Sequence, residues 1–162
     1  MKPLPIISIA LLAVILSSCN KDPDLGDFQS MENSIDMSQT NRYNEALLCR
    51  SWVVTACSQE RYEDGSLQST TDVKSGIGNK FTLRSDHLIY ADGKSTGNWL
   101  YSHNYLLTKY GKGYYAEEVA MDGADVLYLK SENTPEGGPF SYYFQDRSGT
   151  HVFTVRELHP QN

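Results

Sequence analysis

Trp52-Val53-Val54-Thr55-Ala56-Cys57 is written in period two. Trp52, Val54 and Ala56 alternate with Val53, Thr55 and Cys57, and a turn at Glu63-Asp64-Gly65 comes next. Alternation in β-branched and aromatic residues, closed by an Asp-Gly turn, predicts a strand entering a hairpin. The pattern continues to the C-terminus. Residues 67–74 are polar and Thr-rich, predicting a weak strand or a loop, and Gly76 and Gly78 punctuate the chain after them. Residues 80–84 set Phe81 and Leu83 on one face, Asp86 turns the chain, and residues 87–90 run into Asp92-Gly93. Trp99 and Tyr101 share a face of residues 97–101, and Ser102-His103-Asn104 connects tightly to residues 105–109. Residues 114–121 and 125–130 flank Asp122-Gly123, a hairpin turn of the positive-φ kind. Beyond an irregular loop over 131–139, residues 140–145 and 151–157 complete the strands, with Ser148-Gly149 between them and Pro160 as a stop. Eight to ten short strands, turns about every 8–12 residues and no long helix predict an all-β antiparallel barrel or sandwich, not parallel βαβ units.

Ahead of the first strand, Thr40 or Asn41 is placed to cap a short helix reaching about Cys49, with Glu45 in its first turn and Leu47 and Leu48 as its apolar end. Such a helix is too short to stand alone and must dock. Residues 20–39 are rich in Asn, Asp, Ser, Gln and Met without a clean period, and read as a tether of roughly 25 Å mean reach. At the extreme N-terminus Lys2 precedes residues 4–16, apolar apart from Pro5 and Ser8. The apolar run over 6–16 would extend roughly 16 Å as a helix, about half of the hydrocarbon core, so it fits a secretory leader rather than a span. Leu16-Ser17-Ser18-Cys19 resembles a bacterial lipobox. The resemblance implies cleavage before Cys19 and acylation of its sulfur and new amino terminus, with two or three chains making the anchor effectively permanent. Asn20-Lys21-Asp22-Pro23-Asp24 resembles the export signal of lipoproteins from Bacteroidetes-type bacteria, which implies the outer membrane and display on its outer face. The division is then 1–18 leader, 19–42 lipidated cysteine and flexible acidic tether, and 43–162 folded domain.

Losing Lys2 with the leader leaves 13 basic against 20 acidic residues, a net charge of −7. With no basic run, this argues against nucleic acid and against electrostatic adhesion to anionic lipid. Cys49 and Cys57 remain once Cys19 is lipidated. Extended chain between them holds their Cα atoms beyond disulfide reach, so buried free thiols are the expectation and a bridge the alternative.

Leu47-Leu48-Cys49-Arg50-Ser51-Trp52 resembles the opening of lipocalin-like domains, where a short helix leads through Leu-Leu-x-Gly-x-Trp into the first strand; Arg50 stands where that glycine is usual. Phe81, Asp86 and then Gly97-Asn98-Trp99-Leu100-Tyr101, with Leu106 and Leu107 downstream, are similar to the middle of the same family, although His87 occupies a slot that usually holds glycine. Trp52, Gly97 and Trp99 carry the motif. The resemblance implies an eight-stranded up-and-down barrel, closed at one end by the short helix and open at the other, with Arg156 or Arg147 stacked on Trp52. Eight strands leave an interior that is either filled or able to hold one small ligand.

Catalytic patterns are missing from the sequence. His87, His103, His151 and His159 are scattered singly, without zinc-site spacing. Glu117 and Glu118 are adjacent on a strand and point to opposite faces, so they cannot act as a pair. There is no nucleophile elbow, and Gly76-Ile77-Gly78 lacks the helix a phosphate loop needs. The expectation is a non-enzymatic protein with neither metal nor cofactor. Tyrosines are the more telling feature, and Tyr101, Tyr105, Tyr114, Tyr128 and Tyr142 are the candidate pocket, each offering apolar surface with a hydroxyl handle. Against this stands the fact that tyrosine is simply a good strand residue. The expected function is a lipid-anchored envelope protein binding a small hydrophobic or amphipathic molecule. The alternative is a protein-interaction module with a filled barrel and contacts through the 131–139 loop.

Overall fold

A computed structural model of the chain describes residues 26–32, 35–133 and 147–161. The leader, Cys19, the export-like segment around Lys21, most of the 131–139 loop, the strand expected over 140–145 and Tyr142 lie outside the described residues.

Among the described residues nine strands succeed one another: β1 (Ser51–Glu63), β2 (Ser66–Asp72), β3 (Lys80–Leu83), β4 (Leu88–Ala91), β5 (Lys94–Ser102), β6 (Tyr105–Tyr110), β7 (Gly113–Asp122), β8 (Val126–Glu132) and β9 (Thr150–Pro160). All pair antiparallel in one sheet of order β2-β1-β3-β4-β5-β6-β7-β8-β9, and β1 also pairs with β9, so the sheet closes in a ring. One edge of β1 carries β9 from Trp52 to Glu63; the other carries β3 at Ser51–Val53 and β2 at Ser58–Glu63. β2 is the segment read as weak strand or loop. It is a strand, yet every residue of it is exposed.

Turn chemistry closes the hairpins. Asp64-Gly65 and Asp92-Gly93 both adopt positive φ (47° and 79°; 49° and 74°), the pairing that matches strand twist. The β5–β6 turn does the same without glycine, at His103 (φ 50°) and Asn104 (φ 67°). Asn104 is fully buried, and its side chain and N–H are all partnered. Its Oδ1 accepts from the Tyr101 hydroxyl at 2.9 Å, its Nδ2 donates to the Val119 carbonyl at 3.0 Å, and its N–H donates to Asn41 Oδ1 at 2.9 Å. Asn41 is therefore bound to this turn and caps no helix. Asn44 caps instead, accepting from the Ala46 N–H at 3.0 Å, and the expected helix contracts to a 3-10 turn at Glu45–Leu47.

The interior beside that turn is solid. Leu48, Trp52, Ile89, Trp99, Leu106, Leu127 and Leu158 are buried together. Trp52 donates its indole N–H to the Leu48 carbonyl and Trp99 to that of Arg84, each at 3.0 Å, so neither ring leaves a polar atom unmet. The two departures from the family pattern both brace these rings. Arg50 sits with its guanidinium carbon 5.5 Å from the Trp52 ring centre, the place expected for Arg156 or Arg147. His87 takes φ 59°, the backbone state for which glycine is usual, and its ring lies 5.3 Å from that of Trp99.

Two expectations are corrected. Strict alternation placed Ala56 with Trp52 and Val54, but Ala56 is exposed and Cys57, expected as a buried thiol, takes that face instead, because the β1–β9 register shifts between Val54 and Ala56. A bulge there inserts one residue and flips the parity of everything after it. Second, the supposed tether contains α1 (Gly26–Glu32). Phe28, Met31 and Ile35 are buried against Tyr105, Leu107 and Ala116 on the outer face of β6 and β7. Phe28 and Met31 lie one turn apart on α1, and Ile35 joins them from beyond its end; this cover explains why Tyr105, Leu106, Leu107 and Thr108 are all buried in succession.

A chain starting at Tyr43 should accordingly be less stable than one starting at Gly26, by about 2 kcal/mol or more. Urea denaturation compares them, and coincident midpoints would contradict the docking of α1. The same contact makes Tyr105 an alkaline sensor: burial, helped by Glu118, pushes its pKa up to about 12. An unfolded phenol ionises near pH 10, so this contribution is intact below pH 10 and is lost as pH rises toward 12. The fall in urea midpoint above pH 10 should be smaller in Tyr105→Phe than in the wild type.

Candidate functional site

The flipped parity of β1 decides what the far half of the ring encloses. Past the bulge Cys57 and Gln59 share the inner face, in register with Arg156 and Thr154 of β9, which in turn oppose Leu129 and Ser131 of β8. From β6 and β7 the same face receives Thr108 with Tyr115, and Glu117 opposite Leu106. Apart from Leu106 and Leu129, which belong to the packed core, these side chains line a cavity of about 590 Å³ together with Val73, Ser75 and Gly76. Trp52 and Trp99 fill one half of the ring. The other half is open, with polar groups set among apolar surface.

At the cavity wall Arg156 Nη2 donates to both Glu117 oxygens, at 2.6 and 2.5 Å. The Glu117 side chain is 8% exposed and that of Arg156 29%. Glu117 raises the Arg156 pKa further, against the desolvation that would lower it, so the guanidinium is always charged. Arg156 thus holds a carboxylate inside the ring, and the stacking on Trp52 implied by the family likeness is made by Arg50. Tyr110 and Tyr115 stand at the opening, ring centres 6.1 Å apart and edge to face. Burial and the nearby Glu117 push the Tyr110 pKa upward, keeping its hydroxyl a donor. Gly97 explains the position of Tyr110: a Cβ there would lie 2.2 Å from the Lys109 carbonyl oxygen and 3.1 Å from the Tyr110 ring. Only glycine lets β6 pass so close.

Of the tyrosines singled out from sequence, the four among the described residues lie away from this cavity. Tyr101 is in the packed core with its hydroxyl on Asn104. Tyr105 and Tyr114 face outward against α1, and Lys109 Nζ lies 5.3 Å from the Tyr114 ring. Tyr128, paired with Ala120 and Glu157, is half-buried on the outer face. Tyr110 and Tyr115 line this cavity in their place. Thr108 and Tyr115, paired across the β6–β7 hairpin, fall on the face of Leu106, a relation visible once the tight turn at Gly111 fixes the register.

Glu117 and Glu118 do point to opposite faces, one buried and one half-exposed. Cys49 and Cys57 are free thiols; burial raises the pKa of Cys49, and Cys57 lines the cavity. Among the described residues no cluster of three or more His, Cys, Asp or Glu side chains could hold a metal ion, and no helix is long and apolar enough to cross a membrane. A second, open cleft of about 460 Å³ lies against β3 and β4, where the Arg84 guanidinium carbon is 5.0 Å from the Tyr90 ring centre. No protein-family model, curated protein or solved structure matches the chain.

The Glu117–Arg156 pair should behave as one unit. Arg156→Met strands a largely buried carboxylate and should cost about 2–3 kcal/mol, whereas adding Glu117→Leu to it should recover most of that loss. Urea denaturation of the two singles and the double measures the coupling, and simple additivity would refute it.

Proposed function

We propose that this protein is a lipid-anchored component of the cell envelope, held through Cys19, whose ring is a lipocalin-like barrel that binds a small amphipathic molecule without transforming it. The observation that carries the reading is the cavity of about 590 Å³ in the half of the ring away from Trp52 and Trp99. That volume lies within the range of small-molecule sites. An interaction module with a filled interior would have side chains there. The lining sharpens the class of ligand: Gln59, Ser75, Thr108, Ser131 and Thr154 bring hydrogen-bonding groups, while Val73 and the Tyr110 and Tyr115 rings bring apolar surface. This suits an amphipathic molecule better than a purely hydrophobic one. Its two charged groups neutralise one another, which supports holding rather than chemistry.

Placement rests on the lipobox and the segment after it, with export to the outer membrane and display on its outer face as the reading of Lys21, Asp22 and Asp24. Position and cavity fit together, since a permanent anchor keeps a binding protein where its ligand passes.

Native mass spectrometry of the chain expressed from Asn20 onward, coupled to extraction of the bound material, tests this. A small-molecule adduct is expected, and Thr108→Trp, which fills the cavity, should abolish it while leaving the fold intact. A protein that retains and binds no small molecule would refute the reading. In the native host, Cys19→Ser should move the protein from the membrane to the soluble fraction.

A further inference from the structure

The cavity also carries information on the charge of its occupant, given that it is a ligand site as proposed above. Arg156 spends one nitrogen, Nη2, on both oxygens of Glu117. Its Nε and Nη1 N–H groups make no hydrogen bond among the described residues. They are not sealed off either: no buried side-chain nitrogen or oxygen among the described residues lacks a partner, and the Arg156 side chain keeps 29% of its surface. Arg156 is among the residues that line the cavity. A guanidinium with N–H groups to spare at a partly exposed wall selects an acceptor and most strongly a charged one.

The surroundings narrow that acceptor. Among the described residues no second cation lines the cavity, and the one other charged group, Glu117, is negative. A phosphate dianion would therefore be undercompensated, whereas a single carboxylate turns the pair into a carboxylate–guanidinium–carboxylate bridge. Most of the remaining lining residues carry a hydroxyl, amide or phenol, but the surface the lining presents is more apolar than polar, which suits a compact ring with a polar end. At the opening, the edge-to-face Tyr110 and Tyr115 rings offer a planar body aromatic partners.

We propose that the cavity takes a small aromatic monocarboxylate, its carboxylate on the free N–H groups of Arg156 and its ring against Tyr110 and Tyr115. Glu117 then acts as a brake. It positions Arg156, and it also repels the incoming carboxylate and competes for the same guanidinium.

Isothermal titration calorimetry of the chain from Asn20 onward, with 4-hydroxyphenylacetate, 4-hydroxybenzoate and indole-3-acetate as probes, tests the assignment against 4-hydroxyphenylacetamide and palmitate. At least one aromatic acid should bind, and 4-hydroxyphenylacetamide should bind about tenfold more weakly than 4-hydroxyphenylacetate or worse. Arg156→Gln should weaken the acids by a similar factor. Glu117→Gln should tighten them several-fold, the opposite of what damage to a structural pair would do. Equal binding of acid and amide, weaker acid binding in Glu117→Gln, or palmitate bound in preference to every aromatic acid would overturn the proposal. The acid and amide comparison needs no variant, so it stands even if a substitution impairs folding. If extraction yields a neutral ligand and no aromatic acid binds, the carboxylate assignment falls while ligand binding stands. If nothing small binds at all, both fall.

Discussion

Closure of β1 on β9 is the constraint on which the other elements depend. A sheet with free edges exposes unpaired N–H and C=O groups, and several strands here are too short to protect themselves. β3 and β4 have four residues each. They persist because both sides of the sheet lead back to β1, which runs thirteen residues and is bonded along both edges. Pro160, which cannot donate to a ladder, sits where β9 ends against Trp52, and the Gln161 N–H takes up the Ser51 carbonyl just beyond it. The seam therefore finishes with its polar groups met, beside a fully buried tryptophan of the ring.

A strand that long cannot keep one parity and serve two interiors. The shift between Val54 and Ala56 divides the ring. Before it the inner face is Trp52 and Val54, part of an apolar core in which both indoles have hydrogen-bond partners. After it the inner face is Cys57 and Gln59, opposite Arg156 and Thr154. Without the extra residue Ala56 and Ser58 would face inward, and Arg156 would meet a different neighbour. The same device that bends β1 around the ring thus sets the boundary between packing and cavity.

How much of this was legible in the sequence depends on how local each determinant is. The Asp64-Gly65 and Asp92-Gly93 turns are decided by two residues whose backbone preferences are strong, and both are present. The strands between them come from period two. What was not legible depends on relations between distant segments. Phe28, Met31 and Ile35 are three apolar residues in a polar stretch, too sparse to stand out, and their meaning lies in the outer face of β6 and β7 that they cover. That cover turns Tyr105 and Tyr114 from candidate pocket residues into packing residues. Parity sets Ala56 with Trp52 and Val54, and a bulge overrides parity. Glu117 and Arg156 were each conspicuous alone, but thirty-nine positions separate them, and only the ring brings them together.

The location of that ion pair is itself informative. Inside the apolar half, beside Trp99 and Leu106, two charges would have to recover their full desolvation cost from each other, and well-packed hydrophobic residues would serve stability as well or better. At the junction with the cavity the cost is lower, because the guanidinium retains access to water on one side while the carboxylate is held on the other. Stability alone gives no reason to place an arginine there with donors to spare. A side chain that neutralises Glu117 with one nitrogen and keeps part of its surface exposed is what the proposed ligand site would require. The closure of β1 on β9, by setting Cys57 against Arg156, fixes where on the wall that side chain stands.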